Sequence, residues 1–168
     1  MTEDQLEQQC LEWFAEGGWE LAHGPDLAPD GIAPERSDYR QVLLQADLEA
    51  AIRRINPHQP SSLDTIVSNR AFHRLLLAGV PVEYKLEDRV IHDHALLIDF
   101  EQLNANRFRA INQFTLQGGK QLRRPDIVCF INGLPLAVLE LKSHTSENVS
   151  IWGAFNQLQT YKDELPRL

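Results

Sequence analysis

Residues 124–142 have the sequence RPDIVCFINGLPLAVLELK, which predicts the central part of the fold. It contains two apolar runs, 126–131 and 136–142, on either side of Asn132-Gly133. Asn-Gly between two apolar runs is a strong short-range signal for a β-hairpin, because both residues tolerate a positive φ. The stretch therefore predicts two antiparallel strands, with charged residues at the ends that lie away from the turn.

Those charged residues are Asp126 on the first strand and Glu140 and Lys142 on the second. Glu140 and Lys142 are two residues apart in a strand, so their side chains share a face. A two-residue turn would pair Asp126 with Leu139, on the wrong face. A three-residue loop, or a bulge near Pro135, would pair Asp126 with Glu140 instead. Proline cannot donate a hydrogen bond to the ladder, which favours an irregular turn at this point.

With that register, two carboxylates and an ammonium group converge on one spot. Oxygen ligands of this kind suit Mg²⁺, which is often held by only one or two carboxylates plus phosphate and water. Such a site supports phosphodiester hydrolysis, with Lys142 orienting the attacking water or stabilising charge on phosphorus. The alternative is a surface salt bridge between Glu140 and Lys142. Their position at the end of the apolar run 134–139 favours the functional interpretation, since buried charge needs a partner or a metal.

The flanking sequence predicts one α/β domain over residues 1–168, with a mixed sheet covered by helices. Helical periodicity, caps and helix-stopping glycines and prolines mark the helices, and apolar runs or alternation mark the strands. The predicted helices cover 3–16, capped by Thr2, then 38–55, Ser62 to Ala78, and a last helix that begins at a cap at Asn148 or Ser150 and ends near Glu164. The predicted strands cover 82–86, 90–100, 107–116 and the two strands of the hairpin, and 22–37 is predicted to be a long surface loop.

Composition excludes several classes of protein. The 168 residues are 43% apolar and 24% charged, which is an ordinary globular mixture and not a disordered tail. No apolar run is long enough to span a membrane, and the acidic N-terminus does not resemble a signal peptide. The two cysteines, Cys10 and Cys129, show no metal-binding spacing, so a reducing cytoplasm is expected.

The net charge of -8 is unevenly distributed along the chain. Residues 1–50 contain 12 acidic and 2 basic residues, whereas residues 51–168 contain 12 and 14. The overall acidity would argue against nucleic acid as a partner. Because nearly all of it lies in the first 50 residues, the total charge does not exclude DNA.

The hairpin also carries a resemblance to a known family. Pro125-Asp126 followed by Glu140-Leu141-Lys142 resembles the PD-(D/E)xK nuclease motif. The wider sequence, over roughly residues 83–162 and more weakly 2–20, resembles the N-terminal nuclease domain of the restriction (R, or HsdR) subunit of type I restriction-modification enzymes. The segments that carry this resemblance are Ile98-Asp99-Phe100-Glu101, Asn112-Gln113-Phe114, Arg123-Arg124-Pro125-Asp126 and Asn132-Gly133-Leu134-Pro135.

The resemblance implies a restriction-endonuclease-like fold, with a mixed central sheet flanked by helices. It implies that Asp126 and Glu140 bind the metal and that Lys142 is the catalytic lysine. The family's Gln-x-x-x-Tyr motif matches Gln157 and Tyr161, whose spacing of four places them on one helix face. This match implies that the two residues support the site or the DNA. The alternative is a core tyrosine beside a solvated glutamine.

Nucleases of this class often add an acid from the first helix, and Glu7 and Glu3 are the candidates. Glu7 borders the apolar face of that helix and is preferred. The alternative is that both acids only interact with the positive end of the helix dipole.

Basic residues just before the hairpin are candidates for contacts with DNA phosphates, which are usually met by Lys and Arg. They are Lys120, Arg123 and Arg124, for which a solvated strand edge is the alternative. Arg107 and Arg109 form a second basic pair, for which a solvated strand edge is at least as good an interpretation.

The leading hypothesis is a Mg²⁺-dependent endonuclease domain of a type I site-specific deoxyribonuclease that hydrolyses double-stranded DNA. The resemblance implies a longer subunit with an ATP-driven DNA-translocating motor, so that ATP would bind the motor and not this chain. It also implies methylation (M) and specificity (S) subunits as partners. The alternatives are a stand-alone repair or mobile-element nuclease, and a catalytically inactive DNA-binding or docking module. The intact Asp126, Glu140 and Lys142 argue against an inactive module.

Overall fold

The computed structural model describes residues 2–59, 72–143 and 151–165, without the side chains of residues 72–74. Within these residues the chain combines helices with a run of strands that precedes the last helix. The helices are α1 (Glu3–Glu16), α2 (Gln45–Ile55), α3 (Phe72–Ala78) and α4 (Ile151–Glu164), with a short 3-10 helix at Leu103–Ala105. The strands are β1 (Glu20–His23), β2 (Val80–Leu86), β3 (Arg89–Ala95), β4 (Phe108–Asn112), β5 (Leu116–Gly118), β6 (Gln121–Arg123), β7 (Ile127–Ile131) and β8 (Leu134–Leu139).

The central sheet has four strands in the order β1-β4-β7-β8. β1 runs parallel to β4, whereas β4, β7 and β8 pair antiparallel. This is the mixed sheet flanked by helices that the sequence predicts. Two smaller antiparallel pairs, β2 with β3 and β5 with β6, accompany it.

Helix α1 covers one face of the central sheet. Thr2 caps it through a capping box with Gln5, as the sequence predicts, and the helix ends at Gly17. Its buried residues Cys10 and Leu11 pack on apolar side chains of β4 and β7, among them Ile127. The sequence of β7 therefore has to be apolar on both faces.

The other face of β4 and β7 packs against α4 and the segment that precedes α2. Phe114 and Phe130 meet edge to face at the centre of this core, with a centroid distance of 5.1 Å. Tyr161 of α4 and Leu44 before α2 close over them. Gly118 of β5 lies so close to the Glu164 carbonyl oxygen that an added Cβ would stand 1.9 Å from it. A glycine at this position allows the end of α4 to pack against β5.

Residues 22–37 were predicted to form a surface loop, but much of the segment is built into the protein. It begins within β1, and Leu27 and Ala28 are buried. The Arg36 guanidinium lies 3.8 Å from the centroid of the Phe114 ring. Arg36 is buried, which lowers its pKa to about 10. Because the segment is polar, its sequence predicts a surface loop and does not indicate that these residues cover the core.

The predicted strand 107–116 is wrong as a single element. β4 ends at Asn112, and Gln113 has a φ of 54°, in the left-handed region. The alternation of faces is broken there, so Ala110 packs toward α1 while Phe114 and Leu116 pack in the opposite core. The strand after Val90 likewise ends early, at Ala95.

Two helix predictions also need correction. The second helix begins at Gln45 and not near residue 38. The apolar positions of the last helix predict one inner face that includes Ile151, Phe155, Leu158 and Tyr161. In α4, Leu158 and Tyr161 do face the core, but Ile151 and Phe155 are exposed. The first part of the predicted third helix, from Ser62, and the cap candidates Asn148 and Ser150 lie outside the described residues.

Across the described residues, no helix combines the length and the apolarity that crossing a membrane requires.

Candidate active site

The β7–β8 hairpin has the register that brings the two carboxylates together. Its turn is Asn132-Gly133, with φ values of 53° and 78°, so Ile131 pairs with Leu134. The register then shifts by one residue beside Pro135, as the sequence predicts, and Ile127 pairs with Leu139. Extending this register by one step beyond the last ladder pair sets Asp126 opposite Glu140.

The turn itself is locked against neighbouring elements. A Cβ on Gly133 would stand 2.3 Å from the Leu44 carbonyl oxygen, just before α2. The wholly buried Asn132 side chain donates to the Leu97 carbonyl and to Asn106 Oδ1, and it accepts from the Arg107 backbone N–H at 2.8 Å. These contacts hold one end of the hairpin and so fix where its other end lies.

At the far end, backbone and side-chain groups hold both carboxylates. The Leu141 backbone N–H donates to Asp126 Oδ2 at 2.6 Å. Lys142 Nζ donates to Glu140 Oε1 at 3.0 Å, and the Tyr161 hydroxyl donates to Glu140 Oε2 at 3.1 Å. Gln157 Nε2 in turn donates to the Tyr161 hydroxyl oxygen at 2.8 Å. The structure thus brings together Asp126, Glu140, Lys142, Gln157 and Tyr161.

Burial makes this cluster electrostatically unusual. Burial raises the pKa of Asp126, and Glu7 raises it further. Burial also raises the pKa of Glu140, whose side chain is only 2% exposed, and the Asp126 charge adds to this effect. Two carboxylates with raised pKa values in one place form a site that favours a cation.

Two neighbouring groups keep their protons. Burial lowers the pKa of Lys142, but the hydrogen bond to Glu140 and the nearby carboxylates outweigh it, so the pKa is raised overall. Burial raises the pKa of Tyr161 to about 12. Lys142 is therefore an ammonium ion and Tyr161 a hydrogen-bond donor at neutral pH, and neither is suited to act as a base there.

The oxygen donors fit a hard divalent cation. Among the described residues, no cluster of three or more His, Cys, Asp or Glu side chains is close enough to ligate a metal together. Mg²⁺, however, commonly takes only one or two protein carboxylates and completes its shell with water and phosphate. Asp126 and Glu140 are the side chains that would hold it, because their mutual repulsion would be relieved by a positive ion.

Of the two helix α1 candidates, Glu7 is the better placed. Its carboxylate accepts hydrogen bonds from Asn112 Nδ2 at 2.7 Å and from Gln113 Nε2. It is partly buried, whereas Glu3 is exposed, although both raise the pKa of Asp126. The Gln113 N–H donates to the Asp126 carbonyl at 2.9 Å, so the end of β4 links Glu7 to the hairpin.

The sequence pattern does not predict Asn112 and Gln113 as site residues. The signal that could have found them is a polar pair at the end of an apolar strand, beside the carboxylate positions.

The predicted DNA-contacting residues lie on and around β6. Lys120 and Arg124 are exposed, and Arg123 makes a bidentate ion pair with Glu164 of α4.

Arg107 and Arg109 do not form a solvated strand edge. Arg109 is 5% exposed and pairs with Glu35 and with Asp47, while Arg107 pairs with Glu20 and Asp47. This second basic pair links β1, β4 and α2 and is committed to carboxylates of the same chain.

Comparisons with known proteins agree on one family. The sequence model of the family described as "Type I restriction enzyme R protein N terminus" matches residues 1–168. The chain is 37% identical over 185 aligned residues to the type I restriction enzyme HindI endonuclease subunit of Haemophilus influenzae, and 32% identical over 186 to the putative type I restriction enzyme MjaIXP endonuclease subunit of Methanocaldococcus jannaschii. Both alignments cover all of this chain, but only 17% and 18% of the relatives.

A third relative matches a shorter part of the chain. The type I restriction enzyme EcoprrI endonuclease subunit of Escherichia coli is 34% identical over 89 residues, which is 48% of this chain and 27% of the relative. This chain thus spans under a fifth of the length of the two relatives that it matches throughout.

Proposed function

The chain belongs to the family of type I restriction enzyme R proteins, as their N-terminal region, and from that premise we propose that it is the Mg²⁺-dependent nuclease domain of such a subunit. Its reaction is the hydrolysis of phosphodiester bonds in double-stranded DNA. In this proposal residues 1–168 form a single catalytic domain that works in the cytoplasm.

The convergence of Asp126 and Glu140 at one end of the hairpin is the observation that carries the proposal. The bulged register, extended by one step, sets the two carboxylates opposite each other, and burial raises the pKa of both. Keeping two such groups close without a metal costs stability, which proteins commonly accept at functional sites. A surface salt bridge does not account for a Glu140 side chain that is only 2% exposed.

Each residue then has a distinct part in the reaction. Asp126 and Glu140 would hold the metal, which when bound would supply polarisation of the scissile phosphate and a more acidic water molecule. Lys142, as an ammonium ion, orients the attacking water and stabilises negative charge at phosphorus. Tyr161 and Gln157 fix the Glu140 carboxylate, and Glu7 adds negative charge beside Asp126.

The rest of the activity lies outside this chain. We place an ATP-driven motor in the remaining length of the subunit, and we expect M and S subunits to supply methylation and target recognition. Lys120, Arg123 and Arg124 are the proposed contacts to the DNA backbone. The motor would deliver DNA to a domain whose own charge offers little attraction for it.

Plasmid cleavage by the full-length subunit, assembled with M and S subunits in Mg²⁺ and ATP, tests the proposal. Asp126→Ala, Glu140→Ala and Lys142→Ala should each abolish cleavage while ATP hydrolysis continues. Asp88→Ala and Lys85→Ala, at exposed positions of the β2–β3 hairpin, are matched controls and should cut normally. Normal cleavage by the three site variants would sink the proposal and favour a docking module.

A further inference from the structure

A cleft of about 310 Å³ opens beside the carboxylate cluster, between β6 and α4. Its size lies at the lower end of the range for ligand-binding pockets, roughly 300–1,000 Å³. Tyr161 belongs both to this cleft and to the hydrogen-bonded chain that ends on Glu140. The cleft is lined by Leu122, Arg123, Arg124, Gln157, Thr160 and Tyr161.

The cleft offers two guanidinium groups and several neutral polar groups. Arg124 is exposed and forms no ion pair with any described residue. Arg123 is about one-third exposed and is held by both oxygens of Glu164. Gln157 adds an amide to the opposite wall, where its Nε2 group already donates to the Tyr161 hydroxyl, and Thr160 adds a hydroxyl that donates to the Asn156 carbonyl oxygen. Two arginines beside polar side chains form a typical setting for a phosphate group.

The ion pair with Glu164 has a consequence for any phosphate that enters. Arg123 presents its Nε and Nη2 groups to Glu164, which is the same bidentate arrangement that arginine uses with phosphate. A carboxylate and a phosphate would therefore compete for one guanidinium. Because both side chains are about one-third exposed, the pair is partly screened by water and can be exchanged.

We propose that this cleft is a subsite for a DNA backbone phosphate next to the scissile one, and that Glu164 occupies Arg123 until DNA displaces it. The proposal rests on the nuclease function proposed above. It adds Arg124 and Thr160 as the walls of the subsite and Glu164 as its internal competitor. Tyr161 links the occupied cleft to the Glu140 carboxylate that would hold the metal.

Two variants of the ion pair separate this idea from a purely structural clamp. Arg123→Gln and Glu164→Gln each break the same ion pair, so a clamp predicts equal losses of stability and equal losses of cleavage. The subsite predicts opposite effects. Cleavage by Arg123→Gln should fall by about tenfold or more, since a charged hydrogen bond to phosphate is lost. Glu164→Gln should cut at least as fast as wild type and should keep cutting at higher salt.

A third variant keeps the test decisive if either of these folds poorly. Arg123→Lys retains the positive charge but cannot form the two-pronged contact with Glu164. Because lysine keeps the charge but also loses the two-pronged contact with phosphate, the subsite predicts a cleavage rate between those of wild type and Arg123→Gln, whereas a clamp predicts the full loss seen with Arg123→Gln. Arg89→Gln, at an exposed position of β3, is the matched control and should change nothing.

The measurement is the cleavage rate of the full-length subunit in its assembled complex, over a series of salt concentrations, with ATP hydrolysis and thermal unfolding followed in parallel. Wild-type cleavage by Arg123→Gln, or a parallel loss in Arg123→Gln and Glu164→Gln, would overturn the subsite. The Asp126→Ala variant distinguishes the two proposals. If it cuts normally, the nuclease function and the subsite both fail, whereas an inactive Asp126→Ala beside an unaffected Arg123→Gln overturns the subsite alone.

Discussion

The Tyr161 hydroxyl donates a hydrogen bond to Glu140 Oε2 at 3.1 Å and so joins α4 to the end of the β7–β8 hairpin. Gln157 donates to the same hydroxyl and orients it. The contact holds one of the two carboxylates that we assign to the metal, and it depends on a side chain 21 positions away in the sequence.

Removing this hydroxyl should weaken metal binding. In Tyr161→Phe the ring still fills the core, but Glu140 loses a donor that fixes its carboxylate. Loss of such an outer contact commonly lowers metal affinity by about 10-fold or more. We expect the Mg²⁺ concentration for half-maximal DNA cleavage by the assembled enzyme to rise by about that factor.

Tyr84→Phe is the matched control, because Tyr84 donates its hydroxyl hydrogen to Asp93 in the β2–β3 hairpin, away from the site. An unchanged Mg²⁺ requirement in Tyr161→Phe would show that Tyr161 does not position Glu140.

Neutralising Asp126 should stabilise the metal-free protein. Burial raises the folded-state pKa of Asp126 above its unfolded value of about 3.9. The contribution of this group to the free energy of unfolding is therefore at its maximum below that pH. It is lost as pH rises through the folded-state pKa. Asp126→Asn removes this loss and keeps an oxygen to accept the Leu141 N–H.

The predicted result is a higher unfolding temperature for Asp126→Asn than for wild type at pH 7 in EDTA, with the difference vanishing near pH 3. A gain of 1 kcal/mol corresponds to roughly 2–4 °C at this chain length. Thermal unfolding followed by circular dichroism at both pH values measures it. A lower unfolding temperature for Asp126→Asn at pH 7 would contradict the assigned burial of charge.

Mg²⁺ should reverse that order of stability. A ligand that binds only the folded state stabilises it by about 2.7 kcal/mol at 100 times its dissociation constant. Adding Mg²⁺ should therefore raise the unfolding temperature of wild type but leave the double variant Asp126→Asn, Glu140→Gln unchanged. Asp88→Asn serves as the control and should respond as wild type does. Equal shifts in all three proteins would mean that the ion binds elsewhere.

The buried charge network around Arg109 should be important for folding. Burial opposes its charge, but Glu35 and Asp47 raise the Arg109 pKa, so the guanidinium stays ionised. Arg109→Leu leaves Glu35 without its partner and leaves Asp47 with Arg107 alone, and breaking a buried pair in this way typically costs about 3–5 kcal/mol. Arg53→Leu breaks the exposed pair with Glu49 and should cost about 0.5 kcal/mol or less. Urea unfolding of both variants tests the contrast, and similar costs would refute a buried network.

The buried Asn132 side chain should not tolerate a carboxylate. Its amide nitrogen donates to the Leu97 carbonyl and to Asn106 Oδ1, and Asp would place an acceptor against both oxygens. We expect Asn132→Asp to cost about 3 kcal/mol or more, because a charged group is left buried and unsatisfied. Asn104→Asp makes the same chemical change at an exposed position and should be nearly neutral. Equal unfolding midpoints in urea for the two variants would contradict this account of the turn.

Several features of the site could be predicted because they are local in the chain. The Asn132-Gly133 turn and the irregularity beside Pro135 lie within one hairpin, so residue preferences and a count of ladder positions were enough to pair Asp126 with Glu140. The α1 helix was predicted with its bounds, because Thr2 and Gly17 are local start and stop signals.

The failures share one physical cause, which is long-range packing. Gln113 follows β4 with a positive φ that no nearby residue pattern requires. The sequence leaves Arg109 open to a solvated interpretation because its carboxylate partners lie more than 60 positions away. Periodicity reports how polar a segment is, and it does not report which distant segment will cover it.

The amino-acid sequence by itself determined the class of the fold, the hairpin and the acid pair, since backbone preferences and strand alternation act over a few residues. Only the tertiary structure decided which groups surround that pair. It brings Tyr161 to Glu140, Asn112 to Glu7 across 105 positions, and Glu164 to Arg123. Contacts of this kind form because packed helices and strands bring buried polar groups within reach of one another and because such groups must be paired. That requirement acts through space and leaves little local signature in the chain.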